Sequence, residues 1–199
     1  SIGIATAPAH GSCSERLIRS ADLALYSAKD AGRGRYRTFS YDLHAAAQER
    51  NQLEEELRKA VDDGSLQLHY QPVVDTLSEQ ISGFEALLRW NHPTHGWISP
   101  EKFVPVAEDA GLIVAIGEWA IRRACADLAR WPEKVRCAVN VSPLQFVDPN
   151  LPGMIARTIE NAGIDPSRLE LEITELEARP TALKARVRAA EATIAEISG

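Results

Sequence analysis

The run Gly83-Phe84-Glu85-Ala86-Leu87-Leu88-Arg89-Trp90 reads as a β-strand, yet it carries a carboxylate and a guanidinium among apolar side chains. An unpaired buried charge is unfavourable by an amount on the order of several kcal/mol, so any fold that uses this strand must give Glu85 and Arg89 a partner or solvent. An internal ion pair or a solvated strand edge would satisfy the octapeptide taken alone. The elements on either side constrain it further.

From Leu66 onward, strand-like and helix-like segments alternate. Leu66 to Val74 and Ile81 to Trp90 read as strands joined through a hairpin-like connection at Asp75 to Gln80. Ser99 and Pro100 suit the cap and first position of a helix carrying Phe103 and Val106. Ile113 to Trp131 forms a longer helix with Ile116, Ala120, Ala124 and Leu128 on its core face. A strand at Val135 to Val141, a helix at Met154 to Ala162, a strand at Leu169 to Thr174 and a helix at Ala182 to Ile197 follow. Such alternation predicts an α/β fold around a largely parallel sheet.

The first 64 residues have a different character. Ser1 to Ala5 reads as a short strand, followed by a helix that starts at Ser14 as cap, buries Leu17, Ile18, Ala21, Leu25 and Ala28, and ends at Gly32. Asp42 to Asp63 is charged, with Leu53, Leu57 and Val61 spaced by four, and predicts an amphipathic helix ending before Gly64. Domain boundaries are therefore expected near residues 1–40, 41–64 and 65–199. The only methionine is Met154, so the sequence reads as an internal piece of a longer protein.

Composition limits the classes of function. With 45% hydrophobic and 25% charged residues the chain is expected to fold in water, and no stretch reaches the roughly 20 apolar residues that a membrane span needs. A net charge of -6 disfavours the tracking of long nucleic acid, although a small anion can still be held by a few local cations or metals. Cys13, Cys125 and Cys137 are odd in number and lack metal-type spacing, which predicts unpaired thiols and a cytoplasmic setting. His69, His92 and His95 lack a ligand pattern, and Trp90, Trp97, Trp119 and Trp131 read as packing residues, with Trp97 in a turn at a pocket mouth. No arrangement for covalent catalysis is visible.

Several motifs stand in order: Tyr70-Gln71-Pro72, the octapeptide, Trp90-Asn91-His92-Pro93, Phe103-Val104-Pro105-Val106-Ala107-Glu108, Gly111-Leu112-Ile113, Val139-Asn140-Val141-Ser142 and Leu171-Glu172-Ile173-Thr174-Glu175. From about Leu53 to Glu175 the chain resembles the EAL family of cyclic di-GMP phosphodiesterases. The resemblance implies a TIM-like (β/α) barrel with one antiparallel strand, only part of which fits into the residues after Asp63, since such barrels need about 250 residues. It also implies hydrolysis of cyclic di-GMP to a linear dinucleotide with Mg²⁺ or Mn²⁺, and a homodimer. Ala21 to Lys29 with Gly32-Arg33-Gly34-Arg35-Tyr36 resembles the end of a GGDEF diguanylate cyclase domain, the expected neighbour in the parent chain. The Gly-Gly-Asp-Glu-Phe signature itself is absent, and any membrane tether would belong to upstream domains.

Hydrolysing a phosphodiester needs charge neutralisation and an activated water, and hard divalent ions supply both through oxygen ligands. By the resemblance, Glu85 near the end of the second strand, Asn140 near the end of the third and Glu172 within the fourth are metal ligands, Arg89 and Gln71 contact substrate, and Glu175 braces a loop at the second metal site. A turn-forming role for Asn140, an exposed carboxylate at Glu175, a structural hydrogen bond at Gln71 and a salt bridge from Arg89 to Glu85 or Glu108 are the competing readings. The family's later Asp-Asp-Phe-Gly, lysine and Glu-Gly-Val-Glu motifs do not follow Glu175, where the family pattern is lost. The 199 residues alone are therefore expected to lack hydrolytic activity, and a module that binds cyclic di-GMP or a protein partner without catalysis is the alternative.

Overall fold

The computed structural model describes residues 1–173, so Glu175 and the helix expected at 182–197 lie outside the described residues. The chain divides into two compact units, Ser1–Glu56 and Leu57–Gly199.

In the first unit, β1 (Ile2–Ile4) pairs in parallel with β2 (Tyr36–Thr38), and α1 (Ser14–Asp30) connects them. Gly3 is required here. A Cβ at this position would lie 2.0 Å from the Ala21 carbonyl oxygen and 2.4 Å from the Leu25 backbone nitrogen. α1 begins after Cys13, not after a Ser14 cap, and no side chain caps it. Its buried line runs through Ser20, Ala24 and Ala28, whereas Ile18 is 62% exposed. Of the predicted stripe, Ala28 is buried and Leu17, Ala21 and Leu25 are half-buried, while Ser20 also reaches a core position by donating its hydroxyl to the His10 carbonyl at 3.1 Å. A cavity of about 340 Å³ opens in this unit beside His10, Arg16, Arg19 and His44. α2 (Tyr41–Asp63) matches the expected amphipathic helix, and the division between the units falls within it.

The second unit holds β3 (Leu66–Val74), β4 (Ile81–His92), β5 (Gly96–Ile98), α3 (Pro100–Asp109), α4 (Ile113–Leu128), β6 (Arg136–Val141), α5 (Leu151–Ala162) and β7 (Leu169–Ile173). Strand order is β3-β4-β6-β7, with β5 also paired to β4. β3 and β5 run antiparallel to β4, while β4, β6 and β7 are mutually parallel. The α/β expectation and its one antiparallel opening strand match this sheet.

Strand alternation divides the sheet into two faces. Ala86, Cys137, Val139 and Val141 face a core completed by Ile121, Ala124, Cys125 and Leu128 of α4 and by Met154, Ile155 and Ile159 of α5. The α4 stripe read from the sequence, Ile116, Ala120, Ala124 and Leu128, is buried throughout. Cys13, Cys125 and Cys137 are all free thiols, as expected. Burial pushes Cys125 up to about 11 and Cys137 up to about 12, so both core thiols stay protonated at neutral pH.

The hairpin between β3 and β4 is built by Asp75, whose carboxylate accepts from the backbone of Leu77 at 3.1 Å and Ser78 at 2.7 Å. Those bonds hold its pKa below the ordinary carboxylate value. The buried Arg168 closes the same end of the sheet, where β6 and β7 begin. Its guanidinium donates to the carbonyls of Val135, Leu128 and Pro132 at 3.0 Å each and of Trp131 at 3.3 Å.

Candidate functional site

Register decides which side chains share the second face of the sheet. Gln71 stands opposite Glu85 in the β3–β4 ladder, and Glu85 stands beside Ala138 in the β4–β6 ladder. Asn140 stands beside Glu172 in the β6–β7 ladder. Paired residues point the same way and so do alternate ones, so Gln71, Glu85, Arg89, Asn140 and Glu172 all lie on the face turned away from α4 and α5. The five described residues singled out in the sequence are thus on one surface, although they come from four strands.

Within this set Asn140 Nδ2 donates to Glu85 Oε1 at 2.7 Å, a charge-assisted contact between residues 55 apart in sequence. Glu172 is one strand further on, a lateral step of about 4.8 Å. Glu85 and Arg89 are half-buried, and Gln71, Asn140 and Glu172 are exposed.

Glu85 was expected near the end of its strand but is the fifth residue of the twelve in β4. The strand is longer than its apolar run because its outer half gains antiparallel partners in β3 and β5. In the parallel ladder with β6, pairing runs only from Gly83 to Ala86, so Glu85 is the last but one residue of that parallel segment. Asn140 and Glu172 are the penultimate residues of β6 and β7.

The internal ion pair that the octapeptide allows is not formed. Four residues along a strand separate Glu85 from Arg89 by about 13 Å, too far for a direct contact. Arg89 Nη1 instead donates to the neighbouring Leu88 carbonyl at 2.9 Å. That bond uses one of its several donors and leaves planar guanidinium edge on the polar face.

The aromatic and imidazole residues have separate duties. His92 is buried and its Nδ1 accepts from the backbone of Thr94 at 3.2 Å and His95 at 3.1 Å, so it organises the turn into β5. Trp97 lies in β5 and not in a turn, is 56% exposed, and meets the His69 ring edge-on at 5.2 Å. Trp90 is a core residue, packed edge-on against Phe103 at 5.6 Å.

A further polar group was not anticipated. Just beyond Asn140, Ser142 opens a short 3-10 helix, Pro143–Val147, and caps it reciprocally with Gln145. Ser142 Oγ also donates to Glu108 Oε1 at 2.6 Å. The Ser-x-x-Gln spacing of a capping box was visible in the sequence, but its tie to α3 was not.

The donor set suits a hard divalent cation. Two carboxylates and a carboxamide stand on one face of three adjacent strands without sulfur or imidazole beside them in the register, the ligand chemistry of Mg²⁺ or Mn²⁺. The amide nitrogen of Asn140 is spent on Glu85, which leaves its carbonyl oxygen available to a ligand.

Comparison with known proteins bears on the family and the fold. The EAL domain family matches residues 54–195, a span that runs past Glu175. An uncharacterized signaling protein of Caulobacter vibrioides is 47% identical over 88% of the chain, and the bifunctional diguanylate cyclase/cyclic di-GMP phosphodiesterase MucR of Pseudomonas aeruginosa is 44% identical over 88% of it. The chain spans only 22% and 26% of those two relatives. Among solved structures, the PaMucR phosphodiesterase in complex with c-di-GMP superposes with a TM-score of 0.64 at 39% identity, over 71% of this chain and 60% of that one. On the extent of the family match, with the fold agreeing, this chain belongs to the EAL domain family.

Proposed function

We propose that this chain supplies the substrate face of a cyclic di-GMP phosphodiesterase, a metal-dependent hydrolase that opens cyclic di-GMP to linear pGpG in the parent protein. The observation that carries the reading is the single polar face on which Asn140 meets Glu85 at 2.7 Å with Glu172, Arg89 and Gln71 on the same side. The names of the MucR relative and of the c-di-GMP complex support it.

In this reading Glu85, Asn140 and Glu172 hold Mg²⁺ or Mn²⁺, which when bound would neutralise phosphate charge and lower the pKa of a water. Arg89 holds a phosphate oxygen through its planar donors. Gln71, opposite Glu85, hydrogen-bonds substrate. Asn140 orients the Glu85 carboxylate through its amide donor. The described strands form part of a TIM-like barrel, and the remaining groups that activate the water come from elsewhere in the parent, so residues 1–199 alone are expected to be inactive.

We infer further that the first unit is the closing strand-helix piece of a GGDEF domain. The MucR alignment supports this, because 88% of the chain is more than the family match to 54–195 can hold. The parent is expected to work as a cytoplasmic, homodimeric signalling protein. No helix among the described residues is long and apolar enough to cross a membrane.

The test is hydrolysis of cyclic di-GMP by the full-length parent, with pGpG separated by chromatography, with and without Mg²⁺. Wild type should turn over only with metal, and Glu85→Ala should lose about 10²-fold or more in kcat, the scale for removing one preorganised electrostatic contact. Metal-independent turnover, or full activity in Glu85→Ala, would refute the reading.

A further inference from the structure

We propose that Glu108, on α3, is a positioning residue that sets the metal-facing geometry of Asn140 through Ser142. The inference rests on the reading above, in which Asn140 is a metal ligand.

Asn140 is the penultimate residue of β6, and a strand end has little pairing of its own to fix a side chain. The residues immediately after it are tied down from three directions. Ser142 Oγ donates to Glu108 Oε1 at 2.6 Å and accepts from Leu144 N at 3.3 Å. Ser142 N donates to Gln145 Oε1 at 2.9 Å. Gln145 is 1% exposed and lies so close to α4 that a Cβ at Gly117 would fall 1.9 Å from its Nε2. The turn is thus fastened to the last turn of α3 and wedged against α4.

Two features show that this clamp is not incidental packing. Glu108 sits in the last turn of α3, where the helix dipole disfavours a carboxylate, and its carboxylate accepts from Ser142 across to the end of β6. Among the described residues Gln145 Nε2 is buried without a hydrogen-bond partner, while its Oε1 accepts from Ser142 N, so the carboxamide holds the turn through its oxygen. Ser142 lies two residues beyond Asn140 in extended backbone, with φ -68° and ψ 137°, so fixing Ser142 fixes the direction in which Asn140 leaves the sheet. A shift at Ser142 would move the Asn140 amide away from Glu85, whose contact closes at 2.7 Å.

The test uses the full-length parent protein carrying Glu108→Ala, Glu108→Gln or Ser142→Ala, with Glu85→Ala as a control. Mn²⁺ binding is followed by the loss of the free-ion electron paramagnetic resonance signal, beside the Mn²⁺ dependence of cyclic di-GMP hydrolysis. Glu108→Ala should weaken Mn²⁺ binding about 10–100-fold, the usual effect of removing a group that orients a ligand. Ser142→Ala, which removes only the hydroxyl, should shift binding in the same direction. Glu108→Gln, whose amide oxygen still accepts from Ser142, should bind within about threefold of wild type, and KM at saturating Mn²⁺ should stay nearly constant in all three. Wild-type Mn²⁺ affinity in both Glu108→Ala and Ser142→Ala would overturn the proposal. So would Glu108→Gln binding as weakly as Glu108→Ala, since that would make the charge itself the ligand. If Glu85→Ala also leaves Mn²⁺ binding unchanged, the metal reading has failed, and the positioning role falls with it.

Discussion

Replacing Arg168 with methionine should destabilise the second unit by about 2–4 kcal/mol, and the geometry shows why. Arg168 is 8% exposed, forms no ion pair among the described residues, and spends its donors on backbone carbonyls of Val135, Leu128, Trp131 and Pro132 at 3.0–3.3 Å. Leu128 is the last residue of α4, so the cation also meets the negative end of that helix dipole. A hydrogen bond involving a charged group contributes roughly 1.5–3 kcal/mol, and methionine would leave three contacts at 3.0 Å unmade. Against this stands the desolvation of the guanidinium, several kcal/mol by order of magnitude, which methionine would relieve. The difference leaves the stated loss. Arg168→Lys should recover little, because an ammonium cannot span carbonyls on both sides of the α4–β6 connection. Urea unfolding followed by tryptophan fluorescence reads it directly, since all the tryptophans, 90, 97, 119 and 131, lie in the second unit. A Met variant within about 0.5 kcal/mol of wild type would mean that burial of the charge cancels its bonds, and the reasoning would fail.

Two further outcomes follow from packing and burial. Cys125 and Cys137 have folded pKa values raised from 9.0 to about 11 and about 12, so their contribution to stability is complete below pH 9 and is lost as pH rises through that window. Stability should therefore fall between about pH 9 and 10 with a slope approaching about 2.7 kcal/mol per pH unit from the two thiols, before Tyr70, which burial and Asp127 also raise, adds to it. Cys137→Ala should halve the slope in that range, and an unchanged slope in urea titrations would count against burial as the cause. Gly3→Ala places a Cβ 2.0 Å from the Ala21 carbonyl, and the resulting shift of β1 from α1 should cost about 2 kcal/mol or more, seen as faster hydrogen exchange of α1 amides. Native protection in that variant would refute the close approach.

What the sequence made legible depended on whether an element is fixed by its own pattern or by a distant partner. Leu66–Val74 is a strand to the residue expected, because the turn residues Gly64 and Asp75 bracket it. The core face of α4 followed from its 3.6-residue period alone. β5 was missed, since Gly96–Ile98 has no strand pattern of its own and exists because β4 offers it an edge. Ile18 was misassigned because an isoleucine beside an apolar stripe reads as core, whereas it lies at the edge of that stripe and is 62% exposed. Arg168 gave no signal, as a lone arginine before a strand reads as solvated surface.

For the candidate site, the residue types were legible and their meeting was not. Parity along one strand already puts Glu85 and Arg89 on the same face, but the contact of Asn140 with Glu85 depends on parallel register between strands 55 residues apart. That register is also what buries Cys137, Val139 and Val141, and a slip of one residue would turn Asn140 into the core and the cysteine outward. Core and site are therefore one constraint on β6. The strand is secured at both ends, by Arg168 on the Val135 carbonyl where it enters and by the Glu108–Ser142 contact where it leaves. Loosening either end should disturb the polar face before it disturbs the apolar one. The core residues each keep many neighbours, whereas Asn140 is held to Glu85 by a single hydrogen bond.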